Sequence, residues 1–63
     1  MTLLEALKKY DKVWSPSIDS NYRFAYKNDK GQVMIQTKKW RIFLPKDCLN
    51  LTDWQEWKDE QRL

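Results

Sequence analysis

A turn signal near the middle of the chain constrains its fold more than any other feature. Asn28-Asp29-Lys30-Gly31 contains the only glycine in the sequence. It suits a type I turn followed by Gly31 in the left-handed conformation, which is the three-residue hairpin loop with a bulge. Runs of alternating side-chain character flank the turn on both sides. The sequence therefore predicts a β-hairpin within an antiparallel sheet.

The runs beside the turn predict which side chains face the core. Counting outward pairs the aromatic residues of the first strand with residues of the second, and a period of two places all six on one face. The predicted pairs are Tyr26 with Val33, Phe24 with Ile35 and Tyr22 with Thr37. The opposite, polar and basic face is predicted to carry Arg23, Ala25, Lys27, Gln32, Met34 and Gln36.

A third alternating run, residues 39–44, follows the hairpin and stops at Pro45, which cannot extend a hydrogen-bonded ladder. To the core this strand is predicted to add Trp40, Ile42 and Leu44. To the basic face it is predicted to add Lys39, Arg41 and Phe43. The turn around Thr37-Lys38 has no glycine, which argues against a tight hairpin at that point.

The N-terminal segment carries a helix signal. Thr2-Leu3-Leu4-Glu5 matches the capping box, in which the threonine hydroxyl accepts from a helical amide and the glutamate reaches back to the threonine amide. A helix is predicted at about residues 2–10, with one apolar face formed by Leu3, Leu7 and Tyr10. A short strand is predicted next, over residues 12–16, where Pro16 ends it.

The C-terminal segment is open to two interpretations. A short helical turn capped by Asp47 is predicted through Cys48, Leu49 and Leu51. Cys48 is predicted to be a small buried side chain in a reducing compartment. Beyond it, residues 52–55 match the capping box again and favour a helix to about Gln61. Alternatively, residues 54–58 form a final edge strand.

Together these elements predict an α+β domain that spans residues 1–63. Its N-terminal helix packs on a small antiparallel sheet of three to five strands, and one of the two interpretations adds a short C-terminal helix. The sequence has no repeat, low-complexity tract or linker, so a single domain is expected.

Few residues are available for catalysis or metal binding. The chain has no histidine and one cysteine, which excludes an intrachain disulfide, a Ser-His-Asp or Cys-His arrangement and a Cys/His zinc site. A glycosidase-like carboxylate pair or a metal cage of carboxylates remains open in principle, although most of the acids lie where a helix or a tail would expose them. We therefore expect a binding protein and no enzyme, with no metal and no cofactor.

The length of 63 residues predicts self-association. A domain of this size buries only about 60% of the surface of its unfolded chain. With disulfides and metals excluded, oligomerisation is the remaining way to cover four tryptophans. No apolar run approaches the roughly 20 residues of a membrane span, and no export signal is present. We expect a cytoplasmic homo-oligomer that has no membrane partner.

The net charge of +3 is unevenly distributed. Residues 23–46 hold seven basic residues and one acidic residue, a net charge of +6, whereas residues 47–63 hold two basic and five acidic residues, a net charge of −3. This pattern has two interpretations: head-to-tail attraction between subunits, or an anionic ligand on the central segment.

Both ends of the chain resemble a family of small phage and prophage proteins that includes the second Thoeris anti-defence protein. Residues 2–8 (TLLEALK) are similar to the family's opening E-A-L helix, and residues 46–54 (KDCLNLTDW) are similar to its closing D-L-L-x-x-D-W pattern. The likeness covers about a quarter of the chain. The matching framework positions are Glu5, Ala6, Leu7, Asp53 and Trp54.

The resemblance implies a tetramer that binds a cyclic ADP-ribose-type signal between subunits and does not cleave it. Independently, a nucleotide-derived ligand needs cationic donors for its phosphates and an aromatic surface for its base. The candidate ligand-binding residues are Trp14, Arg23, Lys27, Lys39, Arg41 and Phe43. The alternative is that these residues form a solvated sheet face, with Trp14 in the core.

The leading expectation is a phage-type anti-defence protein that sequesters a small nucleotide-derived anionic immune signal, in the host cytoplasm if it is phage-encoded. A second hypothesis is a module that binds single-stranded nucleic acid, because basic strands with outward aromatic residues also suit base stacking. A third is an inhibitor that occludes a host protein through its tryptophan-rich surface. The modest net charge argues against non-specific binding of nucleic acid.

Overall fold

The structure, a computed structural model, describes residues 1–58. Its elements are helix α1 (Leu3–Lys9), strands β1 (Lys12–Trp14), β2 (Tyr22–Lys27), β3 (Val33–Thr37), β4 (Arg41–Phe43) and β5 (Gln55–Glu56), and a 3₁₀ helix (Lys46–Asn50) between β4 and β5. The five strands form one antiparallel sheet in the order β4-β3-β2-β1-β5. The predicted α+β architecture, with a helix packed on a small antiparallel sheet, is confirmed.

Helix α1 begins at the predicted capping box. The Thr2 hydroxyl accepts from the Glu5 amide at 3.2 Å, and the Glu5 carboxylate accepts from the Thr2 amide at 2.9 Å. These bonds hold the pKa of Glu5 below its ordinary value. Leu3 and Ala6 are buried, and the helix packs over β1 at one side of the sheet.

The predicted central turn forms as the sequence indicates. Gly31 has φ +79°, and its amide donates to the Asn28 carbonyl at 3.0 Å. The Asn28 side-chain oxygen accepts from the amides of Lys30 and Gln32, both at 2.9 Å. A positive φ is sterically unfavourable for a residue that has a Cβ. The single glycine of the sequence therefore lies at the position of the loop that requires this conformation.

The register beyond this turn differs from the prediction by one residue. Asn28 pairs with Gln32 across a loop of three residues, because its amide donates to the Gln32 carbonyl at 2.9 Å. The next pairs are Lys27 with Val33, Tyr26 with Met34, Ala25 with Ile35 and Phe24 with Gln36. The predicted pairs of Tyr26 with Val33 and Phe24 with Ile35 are therefore wrong. A bulge between Tyr22 and Phe24 restores the predicted pair of Tyr22 with Thr37.

This shift exchanges the faces of the middle of β2. Ala25, predicted to face away from the helix, is fully buried in the core beside Ile35, while Phe24 and Tyr26 lie on the opposite face. The buried core consists of Leu3, Ala6, Val13, Ala25, Ile35, Cys48 and Trp54. Burial in this core raises the pKa of the Cys48 thiol.

The turn between β3 and β4 is tight despite its lack of glycine. The Thr37 hydroxyl donates to the Trp40 carbonyl at 2.7 Å and accepts from the Trp40 amide at 3.0 Å. A side-chain hydroxyl thus supplies the bonds that close the turn. Trp40, predicted to be in the core, is 64% exposed. The physical reason is position: α1 covers β1, three strands away from β4.

The C-terminal segment adopts the strand interpretation. The predicted helical turn forms as the 3₁₀ helix, but its N-cap is Pro45, and Asp47 lies in its first turn with no side-chain capping bond, so the predicted cap is wrong. Strand β5 follows at Gln55–Glu56, paired with β1. The alternative helix would have ended at Gln61, which lies outside the described residues. Within residues 1–58, no helix is long and apolar enough to cross a membrane.

The N-terminus and the segment before β5 are fastened together. The terminal ammonium donates to the Thr52 carbonyl at 2.8 Å, and the Trp54 amide donates to the Met1 carbonyl at 3.1 Å. Asp53 accepts hydrogen bonds from the hydroxyls of Ser15 and Ser17. These bonds, Ser15 first, lower the pKa of Asp53. They hold Trp54 in the core beside β1.

Candidate ligand-binding face of the sheet

The face of the sheet that points away from α1, here called the outer face, is unusually rich in rings and cations. The register places side chains from all of the first four strands on it, and ring contacts add Trp57. Its members are Lys12, Trp14, Phe24, Tyr26, Met34, Gln36, Arg41, Phe43 and Trp57.

Aromatic side chains pack on one another at the β1 and β2 side of the outer face. Trp57 lies edge-on to Trp14 with ring centroids 6.4 Å apart, and 5.4 Å from Phe24. The rings of Phe24 and Tyr26 are 6.0 Å apart. Trp57 is only 5% exposed, and its described neighbours on this face include these rings. Such ring pairs each contribute about 0.5–1.5 kcal/mol beyond the burial of their area.

The bulge in β2 explains why two consecutive side chains reach the same tryptophan. The Arg23 guanidinium lies 5.8 Å above the Trp57 ring, and Phe24 contacts that ring too. Regular alternation would send neighbours to opposite faces. The bulge interrupts the alternation between Tyr22 and Phe24 and brings a cation onto the aromatic cluster.

A groove of about 500 Å³ runs from these rings to the C-terminal end of α1, so it is bordered by both the outer face and the helix. Its lining residues are Leu7, Tyr10, Asp11, Lys12, Phe24, Tyr26, Lys27, Gln36 and Arg41. The Lys12 ammonium lies 4.9 Å above the Phe24 ring, and the Arg41 Nε donates to the Gln36 side-chain oxygen at 3.3 Å. Three cations and three rings therefore border the groove, and among residues 1–58 Asp11 is the one carboxylate in its lining.

The structure brings two of the predicted site residues, Lys27 and Arg41, to the groove. Trp14 and Arg23 lie on the neighbouring aromatic cluster around Trp57. These four residues come from three different strands, so only the paired sheet makes them neighbours.

The other two predicted residues lie elsewhere. Phe43 is on the outer face opposite Met34 and is 68% exposed, outside the groove lining. Lys39 is in the turn after β3, where it borders a separate depression of about 320 Å³ near Trp40. The structure therefore does not bring Lys39 together with the groove.

Seven of the groove residues were not among the predicted site residues, and Lys12, Phe24 and Tyr26 are the three of these that carry the charge and ring chemistry of the proposal. The prediction places the two rings in the core because the predicted register of β2 against β3 differs from the observed register by one residue. A loop of three residues between Asn28 and Gln32 was the available signal, because it fixes Ala25 opposite Ile35. Lys12 carried no comparable signal, since its neighbours come from β2 across the sheet.

The groove combines charge-assisted hydrogen-bond donors, which can bind a phosphate group, with ring faces, on which a base can stack. Among residues 1–58, no group of three histidine, cysteine or acidic side chains is placed to hold a metal ion. No family model, curated protein or solved structure matches this chain. The residues of the outer face are therefore the basis on which its function is assigned.

Proposed function

We propose that this protein binds a small nucleotide-derived anion in the outer-face groove and sequesters it without cleaving it. The observation that supports this most directly is the meeting of Lys12, Lys27 and Arg41 around a groove walled by Phe24 and Tyr26. Cationic donors form short hydrogen bonds with phosphate oxygens, and the rings offer a stacking surface to the base.

The size of the groove suits such a ligand. Ligand sites in proteins typically enclose about 300–1,000 Å³, and the groove encloses about 500 Å³. The Arg41 side chain is held by Gln36, so its planar donor group is partly oriented before a ligand arrives. Preorientation of this kind reduces the entropy lost on binding.

The residues around the groove favour holding over turnover. Within the part of the chain that the structure describes, the lining combines cations and rings with one carboxylate, Asp11, and the Cys48 thiol is buried in the core. In this proposal the lysines and the arginine of the lining act as charged donors that hold phosphate oxygens. The proposal is accordingly a binding protein, with no role for a cofactor.

The biological setting of the proposal comes from the two ends of the chain. They resemble the phage and prophage family that includes the second Thoeris anti-defence protein, and the groove offers the kind of chemistry a nucleotide signal requires. We place the protein in the cytoplasm, that of the host cell if it is phage-encoded, as a homo-oligomer that lowers the free concentration of an immune signal.

The experiment is a calorimetric titration with cyclic ADP-ribose, with adenosine and inorganic phosphate as the two partial ligands. Cyclic ADP-ribose should bind more tightly than either part. Lys12→Gln should weaken it at least about tenfold, which is about 1.4 kcal/mol. The matched control is Lys39→Gln, because it removes the same charge at a lysine outside the groove. Absence of binding, or equal weakening by both substitutions, contradicts the proposal.

Single-stranded nucleic acid is the second candidate, and the exposure of Phe43 favours it. Its ring continues a row across the outer face from Lys12 through Tyr26 and Met34, and a strand of bases could stack along such a row. A salt titration separates the two candidates. Binding of an oligothymidylate should fall steeply with salt through counterion release, whereas the affinity for a small ligand should change far less.

A further inference from the structure

The two edges of the sheet differ in what they expose. Edge strands present backbone groups that another strand can pair with. At the β5 edge both strand residues, Gln55 and Glu56, are polar and exposed. At the β4 edge two large apolar side chains are exposed, Trp40 by 64% and Phe43 by 68%. The β4 edge is therefore the one with apolar surface still to be covered.

The hydrogen bonds between β3 and β4 determine which backbone groups of β4 point outward. The Thr37 amide donates to the Trp40 carbonyl at 2.8 Å, and the Leu44 amide donates to the Val33 carbonyl at 3.4 Å. Bonded and non-bonded pairs alternate in an antiparallel ladder, so the residues between them face the other way. Arg41 and Phe43 thus direct their amide and carbonyl groups away from β3, towards the open edge.

We propose that β4 pairs antiparallel with β4 of a second copy of the chain, around a twofold axis at Ile42. This inference rests on the self-association included in the proposed function and specifies its interface. In this register Arg41 lies opposite the partner subunit's Phe43, and each such pair exchanges two backbone hydrogen bonds. The outward-facing groups of one edge therefore satisfy those of the other, as an isologous contact requires.

Side chains on both faces are complementary in the same register. On the outer face, Arg41 meets the ring of the partner subunit's Phe43, which is a cation–π arrangement. On the inner face, Trp40 meets the partner subunit's Leu44, where a depression of about 320 Å³ beside Tyr22 and Ile42 lies beyond the reach of α1. Both exposed rings of the β4 edge gain cover from one pairing.

The pairing also concerns the ligand groove, because Arg41 lines it. The partner subunit's Phe43 would lie beside Arg41 at the groove rim, so a second copy contributes a ring to each site. Two grooves would then open on the same face of one continuous sheet.

The dependence of dimerisation on salt distinguishes the β4–β4 pairing from head-to-tail attraction between the cationic middle and the acidic end of the chain. Lys38, Lys39, Arg41 and Lys46 surround the β4 edge, with Asp47 as the nearest acid in sequence. Bringing two such edges together is opposed by repulsion that salt screens. Salt should therefore strengthen this dimer, whereas attraction between the cationic middle and the acidic end would weaken with salt.

Sedimentation equilibrium of the full chain without ligand, at low and high salt, tests the pairing with two proline variants. Phe43→Pro removes two of the four edge hydrogen bonds in the dimer and should raise the dissociation constant at least about tenfold, or about 1.4 kcal/mol. Glu56→Pro is the matched control at the other edge: the Trp57 amide donates to the Lys12 carbonyl, so by alternation the Glu56 amide points outward. It should leave the dimer unchanged.

Three outcomes would overturn the inference. The wild-type chain could be a monomer, the dissociation constants of both proline variants could equal that of the wild type, or salt could weaken the dimer. If circular dichroism shows that Phe43→Pro does not fold, the variant Ile42→Cys tests the pairing instead. In the proposed register, residue 42 is the one that lies opposite residue 42 of the second copy. Mild oxidation should give a disulfide-linked dimer of Ile42→Cys and none of Gln55→Cys; absence of that cross-link overturns it. These outcomes need no ligand, so they are independent of whether cyclic ADP-ribose binds.

Discussion

The two faces of the sheet reach burial in different ways. The inner face carries small and branched residues: Ala25, Val13 and Ile35 are fully buried in one core cluster with Ala6 of α1. On the outer face, the described residues instead stack rings around Trp57. One side of the sheet is thus packed against a helix, and the other is packed largely by aromatic side chains.

This difference separates stability from binding. The inner face holds the contiguous core, so its side chains are expected to dominate the free energy of unfolding. The outer face keeps the cations and the groove beside partly exposed rings, so its side chains are expected to dominate ligand affinity. Neighbouring residues of one strand can therefore have very different mutational effects.

The largest expected effect comes from truncating the inner face. Ile35→Ala should lower the free energy of unfolding by about 2–5 kcal/mol, because it opens a cavity in the core. Met34→Ala, at the adjacent and half-buried position on the outer face, should cost clearly less. Urea denaturation followed by tryptophan fluorescence measures both. Equal losses would mean that the two faces do not differ in packing.

A smaller effect tests the register directly. Ala25→Leu adds volume to a site with no exposed surface and should cost about 1–3 kcal/mol by overpacking. Gln32→Leu introduces the same side chain at an exposed position and should change the midpoint of urea unfolding little. If Ala25→Leu were tolerated as well as Gln32→Leu, Ala25 would face solvent and the strand pairs would be those counted from the sequence.

Truncation of an outer-face ring should cost less than truncation of the core. Phe24→Ala removes ring contacts with Tyr26 and Trp57, at about 0.5–1.5 kcal/mol for each contact beyond the lost area. It should also weaken ligand binding, since Phe24 lines the groove. Thermal unfolding and calorimetry measure the two effects. A loss of stability equal to that of Ile35→Ala, with unchanged affinity, would assign Phe24 to the core.

The smallest effect concerns the bonds that fasten Trp54 to the inner face, and it depends on pH. The pKa of Asp53 is lowered in the folded state by Ser15 and Ser17. The stabilisation is therefore fully present above the ordinary pKa of aspartate, about 4, and is lost as the pH falls through the lower folded value. Asp53→Asn should flatten the decline in stability between about pH 5 and pH 2.

Thermal unfolding of wild type and Asp53→Asn across that pH range makes the measurement. Ser17→Ala is the partial control, because it removes one of the two donors and should flatten the decline less. The Glu5 contribution has the same sign and is common to all three proteins. A wild-type decline that is no steeper than that of Asp53→Asn would show that these hydrogen bonds do not favour the carboxylate.

The predictions from sequence succeeded where hydrogen bonds close within a few residues. The capping box at Thr2, the turn at Asn28 and the end of β4 before Pro45 all depend on neighbours along the chain. The predictions were wrong where an error of one residue in the length of a loop shifts the register of the whole strand pair. One residue of difference in the loop count moved Phe24 and Tyr26 from the predicted core to the groove.

The sequence by itself determined the helix, the hairpin turn and the α+β class, because capping, glycine conformation and alternation are local properties of the chain. Tertiary structure alone decided which face of β2 is buried, the strand at Gln55–Glu56 and the exposure of Trp40. The groove also belongs to that second group, because its cations come from β1, β2 and β4. Only the paired register brings them together, since pairing between distant strands depends on packing across the whole sheet.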